Sequence, residues 1–316
     1  MRRWIGLMVT IGILVGAGST TLAQDDAARR IQAAYQDYET WDTYQVRVAD
    51  NTDLALVAEG KGAYLWQRRE RHIQVSGWYD VTNRDSAAVL LNVSGDSSAS
   101  TESGGTNTPS SWQADLDVAL RNGQLFWRGS YSANPGDTFA LPGEWTGFSV
   151  TDADDIPAFV DLALGRYLLQ EGADPFVEDY DSWLAAAESI EGPETITWDR
   201  RSRTQGELYR VEVDLTAIPD IVGNRFDSLT RGQEAIVDRQ ALLDSLYENS
   251  TLIWQVVLEP GTGRLLGQNT ELDLNAKLGS EGLVASYATL NLTFSNDQTI
   301  AFSNINEAVD TSELPE

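Results

Sequence analysis

Hydrophobic and polar positions along the first fifty residues of this chain fall into three successive patterns. An uncharged apolar run from Trp4 to about Val15 follows Arg2 and Arg3. Further on, Ile31, Ala34, Tyr35, Tyr38 and Trp41 recur at steps of three and four, between Arg30, Gln32, Gln36 and Asp37. That spacing predicts an amphipathic helix capped by Asp25 or Asp26, and its tyrosine stripe needs a broad apolar surface to lie on. At Tyr44 the period drops to two: Tyr44, Val46 and Val48 alternate with Gln45, Arg47 and Ala49, as a half-buried strand does.

Strands are then expected at Leu54 to Ala58, Ala63 to Arg68, Arg71 to Val81 and Ser86 to Ser94, with turns at Glu59-Gly60-Lys61-Gly62 and Asn83-Arg84-Asp85. Gly95 to Ser111 is almost entirely Ser, Thr, Gly, Asn and acids, a composition too poor in apolar groups to build a core, and it predicts a disordered loop at 95–111. The plainest hairpin follows. Trp112, Ala114, Leu116, Val118 and Leu120 share one face, Gln113, Asp115, Asp117 and Arg121 the other, and Asn122-Gly123 supplies a tight turn into Leu125 to Tyr131.

A second helix is expected after Asp154, Asp155 and Pro157, carrying Phe159, Val160, Ala163, Tyr167 and Leu168. A short one follows at about Asp181 to Ile190, and another at about Gln233 to Tyr247. Strands at Thr195 to Arg201, Leu208 to Leu215, Leu252 to Leu258, Arg264 to Leu274, Leu283 to Ser295 and Thr299 to Ser303 complete the pattern, with turns at Pro260-Gly261-Thr262-Gly263 and Asn296-Asp297. The sum is an α+β domain over 24–306, with about eleven or twelve antiparallel strands and four helices, followed by an acidic tail at 307–316. A one-sided sheet of that size places the helices on its concave apolar face.

The opening run reads as a signal peptide over 1–23, because Thr21-Leu22-Ala23 puts small residues where a signal peptidase cuts. The rival is an uncleaved anchor, since the uncharged stretch to Ala23 is long enough to span a bilayer and Gly12 and Gly16 form a GxxxG pair. Cleavage would place the protein outside the cytoplasm. Composition narrows its chemistry. A net charge of -26, with lysine only at Lys61 and Lys277, excludes a phosphate-backbone partner and so nucleic acid. The absence of cysteine removes disulfides, thiolate nucleophiles and a lipid-modified cysteine behind the leader.

Catalytic inventory is thin. The single histidine, His72, sits in a strand pattern among charges, and no Gly-x-Ser-x-Gly elbow presents a serine to it. No Walker sequence or GxGxxG cradle occurs. The acid clusters Asp152, Asp154, Asp155 and Glu178, Asp179, Asp181 lack the spacing of a calcium loop and sit where helices begin, so capping explains them. Paired carboxylates and tryptophans could serve a glycoside-active or carbohydrate-binding protein, but forty-eight acids make some close pair inevitable. The expectation is a non-catalytic protein with neither metal nor cofactor.

The order of elements, with Asp37 to Val48, Glu207-Leu208-Tyr209-Arg210-Val211-Glu212-Val213-Asp214 and Ala288 to Ser295 with Ile300, resembles the LolA/LolB and LppX/LprG-like lipoprotein-carrier superfamily. Two features depart from it: no lipobox cysteine follows the leader, and an acidic tail replaces the usual proline-rich stop. The resemblance implies an unclosed antiparallel barrel whose mouth is plugged by helices and whose cavity holds acyl chains. Candidate lining residues are Leu116, Val118, Leu120, Trp127, Trp254, Leu290, Leu292 and Phe294 on the sheet, and Tyr35, Tyr38, Phe159 and Tyr167 on the helices. The expected partner is a lipid or other hydrophobic small molecule, with an envelope protein as a further candidate. Membrane contact would be limited to an uncleaved leader or transient delivery. The alternative is a structural or interaction module in which the same residues make a filled core.

Overall fold

The computed structural model describes residues 23–60, 62–82, 87–121, 124–134, 137–140, 144–149, 180–199, 203–218, 238–283, 287–310, 312 and 314–315. Helix α1 spans 23–38, so Asp25 and Asp26 lie inside it and not ahead of it. Strands β1 (Thr43–Gly60), β2 (Ala63–Asp80), β3 (Ala88–Ser103), β4 (Thr106–Arg121) and β5 (Gln124–Asn134) form an antiparallel meander, and the short β6 (Asp137–Ala140) and β7 (Thr146–Ser149) both pair with β5. After α2 (Tyr180–Ala185) come β8 (Ala187–Asp199), β9 (Thr204–Val213), α3 (Arg239–Asn249), β10 (Thr251–Leu258), β11 (Leu265–Gly279) and β12 (Tyr287–Ser303).

These twelve strands make one antiparallel sheet, ordered β6-β5-β4-β3-β2-β1-β12-β11-β10-β9-β8 with β7 beside β6 on the outer edge of β5. It is unclosed. The seam at its centre joins β1 to β12, which lie at opposite ends of the domain's sequence, through an in-register ladder from Gln45↔Ser303 to Glu59↔Thr289. Helices pack on the side toward which the sheet curls, as a half-barrel with helices on its concave face requires.

The number of strands is as expected, but several are longer than periodicity predicts and their bounds differ. Tyr44 to Ala49 and Leu54 to Ala58 belong to one 18-residue strand, and Asn296-Asp297 is no turn but the middle of β12. Residues 95–111 are likewise strand and hairpin, not a disordered loop: Gly95–Ser103 pair with β2 on one side and with Thr106–Ala114 on the other. Backbone ladders on both flanks supply the stability that these small side chains lack. Gly104 and Gly105, at φ +58° and +80°, make the two-residue turn, in the left-handed conformation that a type I′ hairpin needs.

Helix boundaries also move. The short helix ends at Ala185 because Ala187 and Ile190 pair with Val213 and Val211 of β9, so edge pairing overrides local preference. Within the expected 233–247 helix, Asp238 is the N-cap, its carboxylate accepting from Ala241 N at 3.0 Å. The helix expected around Phe159 lies outside the described residues.

Close approach between strands bends the sheet. A Cβ at Gly77 would sit 2.0 Å from the Leu90 carbonyl oxygen, and one at Gly129 would sit 2.1 Å from that of Asp115. Both glycines face inward, where tight coiling leaves no room for a side chain. The convex face has its own apolar cluster: Val309 and Leu314 from the acidic tail pack over Trp78, Leu90, Ala119 and Phe126. Arg121 Nη1 donates to the Pro315 carbonyl oxygen at 2.9 Å, so the tail is strapped across β2–β5.

Candidate functional site

Alternation along every long strand sends one set of side chains to the concave face. On β1 these are Tyr44, Val46, Val48, Asp50, Thr52, Leu54, Leu56 and Ala58, and antiparallel pairing extends each position into a row across the sheet. Rows through Val46 and Val48 are apolar from Val93 and Leu116 to Ile300 and Phe302. Rows through Leu54 and Leu56 meet Phe294 and Leu292, then Leu274 and Ala276. Two polar rows separate these fields.

The polar belt centres on Asp50, which is fully buried. Its carboxylate accepts from Asn296 Nδ2 at 2.7 Å and from Arg71 Nη2 at 3.3 Å. Asn296 Nδ2 also lies 3.1 Å from the Asn51 carbonyl oxygen and from Thr52 Oγ1. Gln298 and Thr270 extend the Asp50 row through the register, and both are buried. A buried charge needs such partners, since an isolated carboxylate in an apolar wall costs several kcal/mol.

Aromatic contacts seat the helices. Tyr35 of α1 stacks on Tyr180 of α2 at 4.7 Å and tilts against Trp254 of β10 at 5.5 Å, while Trp183 meets Trp254 edge-on at 5.4 Å. The Tyr35 hydroxyl and Trp254 Nε1, the latter at 3.1 Å, both donate to Gln268 Oε1. Burial, above all, pushes the Tyr35 phenol far above the ordinary tyrosine range. Tyr38 and Trp41 close the other end of α1 over Tyr44 and Phe302. Helix α3 covers the second apolar field: Leu242, Leu243 and Leu246 are buried, and Ser245 Oγ donates to the Lys277 carbonyl oxygen at 3.3 Å.

Of the expected lining residues, Tyr35, Tyr38, Leu116, Val118, Trp127, Trp254, Leu290, Leu292 and Phe294 are all buried in one contiguous cluster, with Leu120 half-buried against it. Phe159 and Tyr167 lie outside the described residues. The belt divides the set. Leu116, Val118, Leu120 and Trp127 share rows with Val46 and Val48 or lie beyond them, whereas Leu290, Leu292 and Phe294 lie across the polar rows. Sequence reading missed the belt itself. Its signal was present as Asp50, Thr52, Arg71, Asn296 and Gln298 at inward parity within otherwise apolar strands. His72 points outward on β2, exposed, with Nδ1 3.4 Å from Asp96 Oδ2.

No family model matches the chain, and no curated protein matches it in sequence. Among solved structures it is similar to the crystal structure of Mycobacterium tuberculosis lipoprotein LppX, at 9% identity and a TM-score of 0.38, over 90% of this chain and 98% of that one. A beta-barrel-like protein of domain of unknown function DUF1849 from Brucella abortus is similar at 8% identity and a TM-score of 0.16, over 82% and 98%. The translocator domain of autotransporter NalP from Neisseria meningitidis follows at 8% and 0.15, over 90% and 97%. TM-scores of this size carry neither fold family nor function, so the half-barrel rests on the sheet's own topology.

Proposed function

We propose that this is a non-catalytic extracytoplasmic protein that holds a lipid or other hydrophobic ligand against the concave face of its half-barrel. The observation that carries the reading is the extent of that face. Val89, Leu91, Val93, Leu116, Val118 and Leu125 continue it over β3–β5, while the ring contacts of α1 and α2 fall on β1, β10 and β12. A continuous apolar wall of this breadth is the kind of surface on which an acyl chain packs. The leader supports the compartment, and the resemblance to lipoprotein carriers in element order supports the ligand class.

Native mass spectrometry of protein purified from its own envelope is expected to show added mass from a bound lipid. A protein that carries none, and that leaves a pyrene-labelled fatty acid methyl ester in solution, overturns this reading in favour of an interaction module with a filled core.

A further inference from the structure

The acids of β2–β4 are confined to the outer face. Glu70, Asp96, Glu102, Asp115 and Asp117 all lie at outward parity, whereas Arg69 and Arg71 lie at inward parity, opposite Leu54 and Thr52 of β1. Among the described residues at inward positions of β12 and β1–β5, Asp50 is the one acid. In a chain of net charge -26 this leaves a small basic field on the concave side.

Both guanidinium groups retain donors. Arg69 is exposed and makes no hydrogen bond or ion pair with any described residue. Arg71 spends one Nη on Asp50 at 3.3 Å, while its Nε is buried with no partner among the described residues. A buried guanidinium N–H without an acceptor costs free energy, and an anion seated there would recover it. Two inward residues on one strand stand roughly 7 Å apart at Cα, within reach of a single phosphate or carboxylate. The Ser97 hydroxyl, in the row of Arg71, donates to the Glu70 carbonyl oxygen at 2.8 Å.

The neighbouring row gives the site its second half. Arg69 is opposite Leu54, Leu54 opposite Phe294, and Phe294 opposite Leu274, so the basic field abuts the apolar field under α3 without a gap. We infer that Arg69 and Arg71 seat the anionic headgroup of an amphiphile whose chain inserts between α3 and the apolar field of Leu54, Phe294 and Leu274. This rests on the hydrophobic-ligand reading above and names the class of ligand: a lipid with a phosphate, sulfate or carboxylate at its head.

The test compares a pyrene-labelled fatty acid with its methyl ester, on the full chain and on Arg69→Gln, which removes an exposed side chain and no internal contact. Arg69→Gln is expected to weaken the acid by about fivefold and leave the ester unchanged, with Arg69→Lys restoring most of the loss. Raised salt should weaken the acid alone. Equal binding of acid and ester to the full chain, or an equal loss of both in Arg69→Gln, overturns the headgroup seat and leaves the hydrophobic-ligand reading standing. Failure of both probes overturns the two together. Inorganic phosphate binding as tightly as the acid, and weakened to the same degree by Arg69→Gln, would make this a site for free anions and overturn the amphiphile.

Discussion

At Gly129 the backbone takes φ +128°, and the Asp115 carbonyl oxygen occupies the place of a Cβ. Both strain and collision therefore oppose any side chain. Gly104, at φ +58° on the β3–β4 turn, has nothing within 4 Å of that position. Gly129→Ala is expected to destabilise by about 3 kcal/mol and Gly104→Ala by about 1 kcal/mol, measured by chemical denaturation. Equal effects would show that β5 is free to draw back from β4. The role of Gly129 is not visible in the sequence, where it stands in Trp127-Arg128-Gly129-Ser130 as one more residue of an alternating strand. Only the distance to the neighbouring backbone marks it.

Among elements, the tail strap is the least expected from composition. Residues 307–316 are rich in acids, yet Val309 and Leu314 are spaced to reach Trp78 and the convex face of β2–β5. Leu314→Asp is expected to release the strap, lowering stability by about 1 kcal/mol and increasing acrylamide quenching of tryptophan as Trp78 is uncovered. Unchanged quenching would mean that the strap protects nothing. Element type was otherwise well written in the chain. The 112–131 hairpin and the α1 stripe follow from alternation and three-four spacing, since each buries its apolar side against a neighbour close in the fold. Two strand breaks misled for one reason: Asp50 to Asp53 and Asn296 to Gln298 look like polar interruptions when taken separately, and each is the other's partner across 246 residues of sequence. The belt is thus legible only after the topology is known. The same holds for Gly95 to Ser111, whose pairing partners on β2 decide its state more than its own side chains do.

For the whole molecule, phenols buried at the helix–sheet junction set an alkaline limit. Burial raises Tyr35 far above its usual range, and burial is the first cause of the upward shifts at Tyr180, where Glu39 and Asp181 add to it, and at Tyr209, where Arg30 opposes it. An unfolded tyrosine ionises near pH 10, while these folded phenols keep their protons to higher pH, so the folded state binds more protons above that point. Their contribution to stability is complete below about pH 10 and is lost as pH rises beyond it. Denaturation midpoints should hold level up to that region and then fall, with Tyr35→Phe flattening the decline; a midpoint that stays constant past pH 10 would mean that these rings meet solvent.

The seam between β1 and β12 has one more consequence, for assembly. Along an 18-residue strand rich in Val, Leu and Ala, a shift of two residues would still match apolar with apolar at most positions. The polar rows oppose it, because a slip one way sets Asp50 against Ile300 and a slip the other way sets Val48 against Gln298 and Thr52 against Phe294. During synthesis β1 must wait, one edge open, until the final strand emerges. The paired polar rows are then the notch by which that late arrival finds its place.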